Sequence, residues 1–124
     1  MNSLYQEHIL EHYRHPHNRG RMEDFDVKHK AVNVSCGDDL TLYLKWEEDG
    51  KLANVMFEGF GCAISQSGAS MLTDKVKGMT KEEMCALTSA DMYALYGVAI
   101  SPQREQCALL ALDTLHEALL KNNH

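Results

Sequence analysis

In the run Leu40-Thr41-Leu42-Tyr43-Leu44-Lys45-Trp46-Glu47-Glu48-Asp49-Gly50, apolar and polar residues alternate and then give way to a turn. Leu40, Leu42, Leu44 and Trp46 fall every second residue between Thr41, Tyr43 and Lys45, the period of a half-buried β-strand. Glu47 to Gly50 has the composition of a hairpin turn, and Leu52 to Glu58 returns as the partner strand. Upstream, Val27 to Val34 reads as a third strand of the same antiparallel sheet. Between the first two strands lies Ser35-Cys36-Gly37-Asp38-Asp39, read as a tight loop.

Outside the sheet the pattern is helical. Leu4 to His15 reads as an amphipathic helix with Ser3 as N-cap, Tyr5, Ile9 and Tyr13 spaced four apart, and Pro16 forcing the stop. His8 and His12 share a face of it. That spacing can hold a metal, but with no thiol or carboxylate motif beside it the pair reads as a solvated face. After the sheet, Cys62 to Lys77 reads as a helix closed by Gly78, and Thr80-Lys81-Glu82-Glu83 as a capping box opening a short one. Ser89 is placed to cap a third helix ended by Gly97. Ser101-Pro102 opens the last, in which Ala108, Ala111, Leu112, Leu115, Ala118 and Leu119 form one apolar stripe. Three strands followed by helices, with one helix in front, predict an α+β fold: a small three-stranded antiparallel sheet with helices on one face, in a single domain over residues 1–124.

Composition sets the outer bounds. With 124 residues, 44% of them hydrophobic and 24% charged, the chain is long enough for a core without covalent staples. Its formal charge of -6 argues against non-specific binding to nucleic acid or anionic membranes, so any binding surface is local. The first twenty residues carry charges and histidines throughout, with no apolar run resembling a signal peptide or a span, which reads as a cytoplasmic protein. Four cysteines, Cys36, Cys62, Cys85 and Cys107, form no C-x-x-C pair. In a reducing compartment they read as metal-binding, catalytic or buried rather than disulfide-bonded.

Cys62 stands where the glycine-relaxed turn Gly59-Phe60-Gly61 becomes a helix. A helix start presents unpaired amides and partial positive charge, which can stabilise a thiolate below the free thiol value of roughly 8.5; the alternative is a small buried hydrophobe. Cys36 in an interstrand loop, Cys62 at one helix start and Cys107 near another can converge at one end of the sheet. Cys85, within Met84-Cys85-Ala86-Leu87, reads as mid-helix core. Cys36, Cys62 and Cys107 with Asp38 make three soft thiolates and one hard carboxylate. Soft sulfur selects Zn²⁺, Cu(I) or iron–sulfur clusters, whereas the carboxylate is a weak point at which a bound species can be released.

The chain resembles the U-type iron–sulfur cluster assembly scaffolds, the family of IscU, SufU and the NifU N-terminal domain. The resemblance rests on the opening segment through His12-Tyr13, Pro16, Asn18 and Gly20, on Cys36-Gly37-Asp38, on Gly59 to Leu72, and on Arg104-Glu105-Gln106-Cys107-Ala108. It implies a scaffold rather than a small-molecule enzyme. Such a protein accepts sulfur from a cysteine desulfurase and iron from a donor, builds a [2Fe–2S]-type cluster on Cys36, Asp38, Cys62 and Cys107, and passes it to apo-proteins. Cys107 or Cys36 is the implied sulfur acceptor, and zinc is possible in the same site. The second motif, Gly61-Cys62-Ala63-Ile64-Ser65-Gln66, is more similar to the SufU branch, which implies an alternative, a zinc-bound sulfurtransferase. The extra segment that SufU-like members carry between the second and third cysteines is missing here. The residue before the last cysteine, commonly His in the IscU branch and basic in the SufU branch, is Gln106, a poor ligand. The chaperone-binding Leu-Pro-Pro-Val-Lys stretch of IscU-like members is absent.

Overall fold

The computed structural model describes residues 6–34 and 37–121. Helix α1 (Glu7–Arg14) precedes strands β1 (Val27–Asn33), β2 (Asp38–Trp46) and β3 (Leu52–Glu58). Helices α2 (Ala63–Val76), α3 (Lys81–Cys85) and α4 (Ser89–Tyr96) follow, and a 3₁₀ turn at Pro102–Arg104 leads into α5 (Glu105–Lys121). The strands form one antiparallel sheet in the order β1-β2-β3, with Asn33 opposite Asp38, Ala31 opposite Leu40 and Leu42 opposite Phe57. This is the expected α+β architecture. The hairpin closes where its turn residues stand, Glu47 N–H donating to Lys51 O at 2.8 Å and Gly50 adopting φ +87°. No helix among the described residues is long and apolar enough to cross a membrane.

One face of the sheet carries the core. α5 packs against β1 and β2, α2 lies beside it against β3, and α1 and α4 flank α2. Leu40, Leu42, Leu44, Val55 and Phe57 meet Ile64, Leu72 and Val76 of α2, and the predicted α5 stripe is buried throughout. Each leucine, isoleucine, valine or phenylalanine among them contributes roughly 1.5–3 kcal/mol on burial.

Strand β2 departs from the half-buried expectation, because Thr41 and Tyr43 are buried as well. Residues 18–26 explain it. Gly20 N–H donates to Phe57 O and Phe57 N–H to Asn18 O, so this segment pairs with the outer edge of β3. The chain then crosses the second face to rejoin β1, where Asp26 N–H donates to Leu44 O at 2.8 Å. On the way Phe25 packs on Tyr43 with ring centroids 5.6 Å apart, and the Tyr43 hydroxyl donates to Glu58. The crossing segment also covers a strand edge that would otherwise offer unpaired amides.

Local helix signals hold with small shifts. Ser3, Leu4 and Tyr5 lie outside the described residues, and α1 as described follows Gln6 with no side-chain cap. Of its expected stripe, Ile9 is fully buried but Tyr13 is 45% exposed, since α1 rests on α2 along a narrow contact. Thr80 and Glu83 form the predicted capping box. α4 is capped by Thr88 instead of Ser89, because a box needs an acidic residue three positions on, which Thr88 finds in Asp91. Pro102 sits in the 3₁₀ turn, so α5 begins at Glu105. Cys85 closes α3 and is exposed, which corrects its reading as mid-helix core: the five-residue helix buries Met84 alone.

Candidate metal centre

Two backbone constraints bring Asp38 and Cys62 together. Gly37, at φ +71°, turns the chain into β2, whose first residue is Asp38 rather than a loop residue. Gly59, at φ +143°, lies so close to Asp39 that a Cβ would overlap the Asp39 carbonyl oxygen, and Asp39 N–H donates to Phe60 O at 2.7 Å. Cys62 is then the N-cap of α2, in an extended conformation, but its own side chain makes no capping bond. Instead its N–H donates to Asp38 Oδ1 at 3.1 Å. A carboxylate from β2 therefore does the capping, and the thiol is left for other use.

Cys107 enters from the first turn of α5 and is 4% exposed, with Asn33 Nδ2 3.9 Å from its sulfur. A carboxylate oxygen of Asp38, Cys62 Sγ and Cys107 Sγ all lie within 4.8 Å of one another. Asp38 is 2% exposed, and its Oδ2 is buried without a hydrogen-bond partner among the described residues. Leaving such an acceptor unmatched costs about 1–3 kcal/mol, more when it is charged, and a cation removes that cost. Two thiols and a carboxylate with an uncommitted oxygen fit Zn²⁺ or an iron–sulfur species. Cys36 lies outside the described residues; Asn33 and Asp38, which bracket its loop, are register partners. Cys85 is not part of this cluster. Gln106 is exposed and lines a groove along β1 with Ala31, Val32 and Asn33.

Tyr96 is the residue that sequence reasoning missed. Its fully buried hydroxyl lies 3.0 Å from Ile64 O and 2.9 Å from Ala108 O, bridging the carbonyls just after Cys62 and Cys107. Burial first, and the two nearby thiols second, push its pKa far upward, so it stays a protonated donor. Gly68 makes room for it: a Cβ there would collide with the Tyr96 hydroxyl. A glycine inside a helix was the available signal. Arg19 is a second brace, donating to Gln66 Oε1 at 2.5 Å and to Gly59 O at 3.0 Å.

The histidine pair of α1 is not used as a pair. His8 Nε2 lies 3.2 Å from Leu95 O, while His12 turns to Ser70 Oγ at 2.6 Å.

A small α+β domain with a carboxylate at a strand start and thiols at two helix starts defines a class of metal- or sulfur-handling proteins. Residues 4–124 match the NifU-like N-terminal domain, and the chain belongs to that family, the IscU/SufU-type scaffolds. The iron–sulfur cluster assembly scaffold protein IscU of Thermotoga maritima is 37% identical, over 95% of this chain and 94% of its own length. The zinc-dependent sulfurtransferase SufU of Bacillus subtilis is 31% identical over 98% of this chain and 92% of its own. Among solved structures, a SUF-system scaffold protein described as putative, from Fervidobacterium islandicum, superposes with a TM-score of 0.78 at 30% identity, covering 94% of this chain and 96% of that one.

Proposed function

We propose that the protein is an iron–sulfur cluster assembly scaffold that takes sulfur from a cysteine desulfurase and iron from a donor. It holds the growing [2Fe–2S] cargo on Cys36, Asp38, Cys62 and Cys107 and passes it to apo-proteins. The observation that carries this reading is the buried Asp38 Oδ2, without a hydrogen-bond partner among the described residues, beside two thiols. Sulfur arrives when an acceptor thiolate attacks the terminal sulfur of the partner's persulfide. The S–S bond breaks, the donor leaves as a thiolate, and the sulfane sulfur stays on the acceptor. Cys36 and Cys107 are the candidate acceptors. Cys107 is reached only after local opening, since it is buried in the helix-start contact. Asp38 is the exchange point, because a carboxylate holds a thiolate-rich iron centre less firmly than a fourth sulfur and yields to an incoming cysteine.

A second reading, zinc-dependent sulfur transfer from the desulfurase with no cluster built, is favoured by the SufU relative and by the SufU-like motif at Gly61 to Gln66. The deciding experiment is anaerobic incubation with iron, cysteine and desulfurase. A visible chromophore that moves to apo-ferredoxin supports the scaffold. A colourless protein that retains one tight zinc and stimulates the desulfurase supports sulfur transfer. With equally loaded proteins, Asp38→Cys is expected to slow transfer and Asp38→Ala to abolish normal release; equal rates in all three would remove Asp38 from the mechanism.

A further inference from the structure

A different group of ligand-type side chains gathers toward the other end of α2. His12 comes from α1, His17 from the turn after it and Asp74 from the last turns of α2, and one ligand atom from each lies within 4.8 Å of the others. We propose that His12, His17 and Asp74 form a second site, with nitrogen and oxygen donors, for a divalent transition-metal ion of the Zn²⁺ class, which clamps α1 and its following turn onto α2. Asp74 stands twelve positions after Cys62, about 18 Å along the axis of α2, so one ion cannot serve both ends.

The surroundings hold these side chains as the outer shell of a metal site does. Ser70, fully buried in α2, accepts the His17 backbone N–H at 2.7 Å and lies 2.6 Å from His12 Nδ1, which leaves His12 Nε2 for a ligand. Asn18 Nδ2 donates to Asp74 Oδ1 at 2.9 Å, directing the other oxygen, Oδ2, toward His17 Nδ1 at 2.5 Å. Asn18 is able to do so because it adopts φ +62°, which asparagine tolerates better than most residues. Bonds of about 2.0–2.2 Å to nitrogen and oxygen require only that His17 and Asp74 separate slightly and His12 close in. An ion there replaces the direct contact between His17 Nδ1 and Asp74 Oδ2. His17 and Asp74 are exposed, so the ion has access, and Lys75 lines the same groove, which makes the site weaker than the thiol cluster.

The test is an anaerobic titration of the metal-free wild-type protein with Co²⁺, followed by Zn²⁺ competition. Thiolate ligation gives intense near-ultraviolet sulfur-to-cobalt charge transfer, whereas the proposed site gives only weak visible bands. The expected result is an additional Co²⁺ with no sulfur signature, lost in His17→Ala and in Asp74→Asn, while the charge-transfer band is unchanged in both. Ser70→Ala, which alters only the outer shell, is expected to weaken the additional ion about tenfold. Absence of a sulfur-free cobalt band in wild type, or its persistence in both variants, overturns the proposal.

Discussion

The two ends of α2 hold similar numbers of ligand-type side chains in opposite states. At its start, Asp38, Cys62 and Cys107 are largely enclosed and one carboxylate oxygen has no hydrogen-bond partner among the described residues. Toward its end, His12, His17 and Asp74 stand at the surface with hydrogen bonds already made. An enclosed orphan acceptor depends on an arriving cation, whereas a solvated and paired cluster is stable without one and binds only what outcompetes its own proton. The first end suits a cargo that is held and handed on. The second suits an ion that fastens helices.

Four substitutions sharpen this contrast. Gly68→Ala drives a methyl into the buried Tyr96 hydroxyl and is expected to cost about 1–3 kcal/mol in urea unfolding. It should also weaken metal binding at the thiol end while leaving the histidine end unchanged; equal damage at both ends would mean that α2 responds as one rigid rod. Tyr96→Phe keeps the ring but removes the bridge between Ile64 O and Ala108 O. A loss of about 1–2 kcal/mol is expected, with a broadened cobalt charge-transfer band; an unaltered melt and spectrum would show that the hydroxyl does not set the distance between the cysteine helices.

Asp74→Asn tests the exposed end, where an ion pair contributes at most about 0.2–1 kcal/mol in the metal-free protein. Burial alone would raise the Asp74 carboxyl, but hydrogen bonds from His17 and Asn18 outweigh it and hold the group below its ordinary value of 3.8. A depressed carboxylate adds stability above that ordinary value and loses it as pH falls through the lowered one. The variant should therefore be slightly weaker than wild type at neutral pH and equal to it in strong acid, as read from melts across that range. Cys85→Ser, at the exposed end of α3, should stay within about 0.5 kcal/mol of wild type with metal stoichiometry unchanged. A lost ion in that variant would add Cys85 to the ligand set.

The features legible along the chain are those that local physics encodes. The period of two from Leu40 to Trp46, the turn at Glu47 to Gly50, the box at Thr80 and Glu83 and the left-handed Gly97 each depend on neighbours a few residues away. The order of elements also put Cys62 and Cys107 at ends that can meet; the structure brings them together with Asp38, which begins a strand rather than sitting in a loop. Which faces came into contact was decided by tertiary packing. The outer face of β2 is covered by a segment that enters from the far edge of the sheet, and Cys85 is exposed because α3 is too short to bury more than Met84. Tyr96 reaches Ile64 across 32 residues, and His12 finds Ser70 rather than His8 across 58. A helical repeat gives the spacing of side chains along one helix, but not the angle at which another helix crosses it, and that angle chose the partners.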